Sequence, residues 1–137
     1  ARSQERKTFG RPLYKHGSIG EWIARSRIEI EQARLLVLKP AAMIDELGAK
    51  GARKEISMIK VVAPTLLTDV ADRAMQVFGA MGVSPDTPLA DFFTGGRVLR
   101  YADGPDEVHL QTIARLELKQ SRDGLRHAAN YLAVTEH

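Results

Sequence analysis

Ile23, Ile30, Val37 and Ile44 recur every seven residues, with Ala33 and Leu47 on a companion seam. That period fits one face of an α-helix and predicts a long helix over about 18–47. Ser18 followed by Glu21 has capping-box spacing: the hydroxyl accepts an unpaired first-turn N–H and the carboxylate reaches back. Gly48 supplies the stop. Pro40 lies inside the pattern and predicts a kink, because it lacks a backbone donor. Ile56, Ile59, Ala63, Leu66, Val70, Ala74 and Val77 follow three-and-four spacing and predict a second helix over about 52–78, bent at Pro64 and stopped by Gly79. Gly82 to Pro88 reads as a loop, with Thr87 as N-cap and Pro88 at the first helical position of a helix over about 88–101. Gly95 and Gly96 weaken that helix by roughly 1 kcal/mol each relative to Ala. A last helix over about 105–134 opens at Pro105 and carries Ile113, Leu116, Ala128 and Leu132 among its apolar positions. No segment shows strand alternation. The fold class is therefore all-α, an antiparallel four-helix bundle, with residues 1–137 forming a single domain.

Composition adds limits. The chain is 44% hydrophobic and 27% charged, which suits one globular domain with a real core. No apolar run approaches ~18 residues, so no membrane span is expected. No basic leader precedes an apolar stretch, so no signal peptide is expected. The absence of cysteine excludes disulfide and thiol chemistry and fits a reducing compartment. The net charge of +3 is spread along the chain, with modest concentrations at Arg2 to Arg11 and at Arg53-Lys54. A nucleic-acid binder would carry a denser stripe; an anionic ligand such as a dinucleotide or coenzyme A fits better. Ala1 to Thr8 has neither an N-cap nor an initiating Met and reads as the end of a longer helix, so the chain is expected to be a fragment of a larger protein.

Chemistry concentrates at Tyr101-Ala102-Asp103-Gly104-Pro105-Asp106-Glu107-Val108-His109, where three carboxylates crowd a Gly-Pro turn. Asp103 there is either an N-cap accepting first-turn N–H groups or a general base that takes a proton alpha to a carbonyl while its own N–H polarises that carbonyl. Asp106 and Glu107 complement the positive end of the helix dipole. Arg6, Lys7 and Thr8 form either a solvated helix end or a pyrophosphate site with Arg6 as the forked donor. Gln76 to Gly82 is either a helix C-cap or a place where Gly79 lets backbone N–H groups approach a phosphate. His16, His109, His127 and His137 show no metal-ligand spacing, so no metal is expected. Serine nucleophile elbows and Walker-type loops are missing. Trp22 reads as a core or interface anchor.

Together these motifs resemble the acyl-CoA dehydrogenase family. Arg6 to Leu13 matches its Arg-x-x-Phe-Gly-basic-Pro-Leu opening; two long helices, Gln76-Val77-Phe78-Gly79 and a carboxylate-Gly turn then follow in order. Arg100 to His109 is similar to the subgroup with Arg-x-x-Asp-Gly-Pro-Asp-Glu-Val-His, and the likeness runs from Arg6 to about Leu118. The resemblance implies a carboxy-terminal four-helix domain of a flavoenzyme that also has an amino-terminal helical domain and a middle β-domain. It implies FAD bound between the subunits of a homodimer or homotetramer, an oligomer interface built largely by this domain, an acyl-CoA substrate and an electron-transfer protein as acceptor. The implied reaction is α,β-dehydrogenation of the thioester. Asp103 stands where the family has its catalytic base, usually Glu. Arg6 and Thr8 match contacts to the FAD diphosphate of a neighbouring subunit, Phe9 packs near the cofactor, and Gln76 and Gly79 form a second such stretch. Asp106 and Glu107 match cofactor contacts beside the base, and Gly104 falls with the substrate-binding positions. The implied location is cytoplasmic in a bacterium, and mitochondrial or peroxisomal in a eukaryote. Without the β-domain, the chain alone is expected to be inactive and to hold FAD poorly.

Four features depart from the family pattern, one being Gly95-Gly96, which falls where relatives carry a better helix former. Asp is about 1.5 Å shorter in reach than Glu, Ala80 replaces the second Gly of a common pair, and Gly17 stands where many relatives carry Gln. Other readings are a non-catalytic helical oligomerisation module, a basic nucleic-acid-binding bundle, and an oxidase of the same family.

Overall fold

A computed structural model describes residues 2–134, with side chains to residue 125. A single helical turn, α1 (Arg2–Glu5), leads into a two-stranded antiparallel ribbon, β1 (Lys7–Thr8) and β2 (Arg11–Pro12), and a 3-10 turn at Leu13–Lys15. Four long helices follow: α2 (Gly17–Gly51), α3 (Arg53–Phe78), α4 (Leu89–Leu99) and α5 (Asp106–Val134), with a 3-10 segment, Gly79–Val83, after α3. The architecture is the expected all-α antiparallel bundle. Helix α3 is its hub, and α2, α4 and α5 each pack against it.

The antiparallel pairings are fixed by specific contacts. Arg73 of α3 grips Glu29 of α2 with both guanidinium arms, and one of these also donates to Ser26 Oγ at 3.0 Å. Further along the same pair, Lys39 meets the buried Glu55 at 3.3 Å. Lys54 of α3 reaches Glu117 and Gln120 of α5, each at 2.9 Å. Small residues let the helices close: Ala33, Ala52, Ala71 and Gly96 are all buried.

Several local expectations differ from the structure. The ribbon is a strand pair where none was expected; it is two residues long on each side, too short for alternation to register. Its loop is Phe9-Gly10, both with positive φ (49° and 78°), as a tight two-residue hairpin requires. The Ser18–Glu21 capping box does not form. The 3-10 turn runs directly into α2, the His16 carbonyl accepts from Ile19 N–H at 3.0 Å, and Ser18 lies inside the first turn. Glu21 pairs instead with Arg25. Thr87 does not cap α4; its hydroxyl donates back to the Met81 carbonyl at 3.2 Å, and α4 begins one residue after Pro88. Pro40 and Pro64 both lie buried inside continuous helix, α2 and α3 respectively. The break in α2 is at Gly48, whose φ of 70° and ψ of 170° end the regular helix where the sequence places the stop.

Gly96 has a packing reason to be glycine. A Cβ there would stand 2.6 Å from Thr68 Oγ1 and 3.2 Å from the Pro64 carbonyl oxygen. The glycine therefore sets how closely α4 approaches α3, and its helix-propensity cost is offset by that contact.

The heptad stripe of α2 is not a core seam within this chain. Ile23, Ile30, Val37 and Ile44 are all exposed, because α3 covers only the adjoining face, marked by Ile19, Ala33 and Pro40.

Candidate functional site at the bend between α4 and α5

Asp103 occupies a sharp bend. Its φ of +55° is left-handed, a conformation Asp tolerates better than most residues, and Gly104 follows at +103°. The structural role expected of Asp103 is filled by other groups. The Pro105 carbonyl accepts from Val108 N–H at 3.0 Å and opens α5. Among the described residues the Asp103 carboxylate accepts no hydrogen bond, and the Asp103 and Gly104 N–H groups meet no acceptor. The side chain is exposed. It lines neither the grooves along α2 and α3 nor the polar groove where α5 meets them.

Three neighbours hold the bend. Lys60 Nζ, from α3, donates to the Ala102 carbonyl at 2.6 Å and to the Leu99 carbonyl at 3.1 Å. Arg100 Nε donates to Asp106 Oδ2 across the bend, and Asp106 is only 7% exposed. His109 folds back from α5, its Nε2 being 3.4 Å from where a Cβ on Gly104 would lie. Asp106 Oδ1 and His109 Nε2 are buried without a protein partner among the described residues. Asp106 thus faces inward against Arg100, while Glu107 is exposed beside it. Sequence reasoning did not single out Lys60, although a lone lysine in Ile59-Lys60-Val61-Val62 is a visible irregularity.

The other site residues gather at the opposite end of α3. Arg2 lies with its guanidinium carbon 5.6 Å from the centre of the Phe78 ring, which joins α1 and the ribbon to the Gln76–Gly79 segment. Phe9 projects from the hairpin tip, 98% exposed. Arg6 and Gln76 are exposed. Arg6, Lys7, Arg11 and Lys15 make no salt bridge among the described residues, and with Glu5 as the acid of residues 2–15 this end carries an excess of positive charge. Thr8 Oγ1 lies 3.1 Å from His16 Nε2, which is also 3.3 Å from the Thr8 carbonyl oxygen. A protonated Nε2 satisfies both oxygens and leaves the Thr8 hydroxyl its own proton for another acceptor. Gly79 caps α3 with a φ of 67°, and its N–H is spent on the Met75 carbonyl. What it offers a ligand is open space, since nothing lies within 4 Å of where its Cβ would be.

Helical rise puts roughly 27 Å between Lys60, beside the bend, and Phe78, beside the basic end. The two groups of candidate residues therefore lie near opposite ends of α3.

The family described as "Acyl-CoA dehydrogenase, C-terminal domain" matches residues 1–118. The chain is 54% identical over 125 residues to acyl-CoA dehydrogenase family member 11 of Rattus norvegicus, covering 91% of this chain and 16% of the rat protein. It is 57% identical over 122 residues to acyl-CoA dehydrogenase family member 10 of Mus musculus, covering 88% of this chain and 11% of that protein. The solved structure of butyryl-CoA dehydrogenase from Megasphaera elsdenii superposes with a TM-score of 0.78 at 31% identity, over 85% of this chain and 30% of that one. The chain thus spans less than a third of each of these proteins. The bend carrying a free carboxylate, the basic hairpin and the helical order all fall within the matched span, and the chain belongs to the acyl-CoA dehydrogenase family, in the region of its C-terminal domain.

Proposed function

We propose that this chain is the C-terminal helical part of an FAD-dependent acyl-CoA dehydrogenase and that Asp103 is its catalytic base. One observation carries the reading. The Asp103 carboxylate is released from every structural duty at its own bend, while Pro105, Lys60 and the Arg100–Asp106 pair hold the turn. A carboxylate kept in a left-handed conformation yet left unpartnered is a candidate for work on a ligand.

In this reading Asp103 takes the α-proton of an acyl-CoA thioester. The free Asp103 N–H donates to the thioester carbonyl oxygen, where negative charge grows as the proton leaves. Bound FAD would accept the hydride leaving the β-carbon, so that the α,β double bond forms. The basic hairpin fits an anionic diphosphate. Arg6 supplies a forked donor and Thr8 a hydroxyl, with Phe9 beside them; Gln76 and Gly79 border the same end, and Gly79 leaves room for close approach. Because the two groups of candidate residues lie far apart on one chain, the hairpin of one subunit would serve the cofactor of another. The exposed stripe Ile23, Ile30, Val37 and Ile44 would then be covered by a further copy in a homodimer or homotetramer. Glu107 stands exposed at the mouth of the bend, beside Gly104, where substrate would lie. Asp106 holds Arg100 through Oδ2, and with Glu107 it is proposed as a cofactor contact beside the base. An electron-transfer protein is the proposed acceptor.

The test is Asp103→Asn in the full-length protein that carries this domain. Turnover of acyl-CoA should fall by roughly 10²–10⁴-fold with FAD content unchanged. Near-normal turnover would remove Asp103 from the chemistry.

A second reading, a non-catalytic helical oligomerisation module, draws on the exposed α2 stripe and on Asp103 lying outside the three grooves described above. A wild-type full-length protein that assembles but neither retains FAD nor oxidises any acyl-CoA would favour it.

A further inference from the structure

We propose that Lys60 is a positioning residue for the base, an inference that rests on the reading of Asp103 given above. Helix α4 leaves its last carbonyls without intrahelical donors. Tyr101 and Ala102 both donate to the Val98 carbonyl, and Arg100 donates to that of Arg97; among the described residues no backbone N–H reaches the Leu99 or Ala102 carbonyls. Lys60 Nζ serves both of them. Its charge also complements the negative end of the α4 dipole.

The Ala102 contact has a direct consequence for Asp103. The Ala102 carbonyl and the Asp103 N–H belong to one peptide unit, which is planar and trans, so the two groups point in opposite directions. Lys60 draws the carbonyl toward α3 at 2.6 Å. The Asp103 N–H is thereby turned away from α3, toward the side where it has no acceptor among the described residues. The ammonium also polarises the peptide, which makes that N–H a stronger donor. Lys60 thus sets the aim and strength of the amide that would polarise the thioester, without touching substrate. The close approach at Gly96 brings α4 near enough for the lysine to reach.

The experiment compares wild type, Asp103→Asn, Lys60→Met and Lys60→Arg in the full-length protein. Lys60→Met keeps most of the apolar stem and removes the donor. It should lower kcat at least tenfold with KM within about threefold and FAD content unchanged, since the amide acts on charge that develops in the transition state. Hydrogen exchange at the Ala102 N–H, which is bonded to the Val98 carbonyl, should quicken in the same variant, and Lys60→Arg should restore most of both. An inactive Asp103→Asn beside a Lys60→Met with kcat within twofold of wild type, or with unchanged exchange, overturns this proposal alone. A Lys60→Met loss that Arg fails to restore, or that falls on KM or FAD content, also overturns it. Retained turnover in Asp103→Asn overturns the reading of the base, and this inference with it.

Discussion

Gly96 and Thr68 touch so closely that a single added carbon on the glycine would sit 2.6 Å from the threonine hydroxyl oxygen, itself bonded to the Pro64 carbonyl at 2.9 Å. The neighbouring Gly95 has nothing within 4 Å of the same added atom. Two adjacent glycines in one helix therefore have opposite reasons to exist. Gly96→Ala should destabilise by about 1–3 kcal/mol through overpacking. Gly95→Ala should stabilise by about 0.5–1 kcal/mol through helix propensity and a less mobile unfolded chain. Urea unfolding of both variants checks the sign; two equal shifts would refute the contact.

The Glu29–Arg73 clamp gives stability a defined dependence on pH. The hydrogen bond from Arg73 holds the Glu29 carboxyl below the ordinary glutamate value, and the same partner raises the affinity of Arg73 for its proton. A carboxyl depressed in the folded state contributes stability that is fully present above its unfolded pKa, about 4.3, and is lost as pH falls through the folded value. Glu29→Gln should therefore cost about 1 kcal/mol at pH 7, with a difference that shrinks toward zero below the folded value. Denaturant midpoints measured from pH 7 to pH 3 test this; a pH-independent gap would argue against the ion pair.

Arg6→Ala should weaken flavin retention in the full-length protein by roughly tenfold or more, because a charge-assisted bond to a diphosphate is lost. Unfolding of the variant without flavin should be unchanged, since Arg6 is exposed and its side chain bonds to nothing within the described residues. Unaltered FAD affinity would detach the hairpin from the cofactor.

Arg100→Met leaves the buried Asp106 carboxylate without its counter-charge, its Oδ1 already without a protein partner among the described residues. A loss of about 2–4 kcal/mol is expected, with Asp106→Asn in the same background recovering part of it. Equilibrium unfolding of the single and double variants measures the coupling. Additive effects would mean that the pair does not act as a unit.

Ile30→Asp, placed on the exposed stripe of α2, should shift the full-length protein to a smaller assembly while leaving helical content intact. Sedimentation and circular dichroism decide it, and an unchanged assembly would assign that stripe to some other cover.

The sequence by itself determined the number and order of the long helices, because apolar residues at helical spacing and the stops at Gly48 and Gly79 are properties of the chain alone. It also placed the free carboxylate at a bend, since Asp-Gly-Pro cannot continue a helix. Tertiary structure decided what each residue does there. Whether Asp103 caps a helix depends on whether another group takes the first-turn N–H; here the Pro105 carbonyl opens the helix, and Lys60, 43 positions away from Asp103, pins the bend. Capping at Ser18 failed because the His16 carbonyl takes the Ile19 N–H, and at Thr87 because its hydroxyl is spent on the Met81 carbonyl. The heptad of α2 fixed an apolar face but not its cover, because periodicity encodes which side is greasy and only packing says what lies against it.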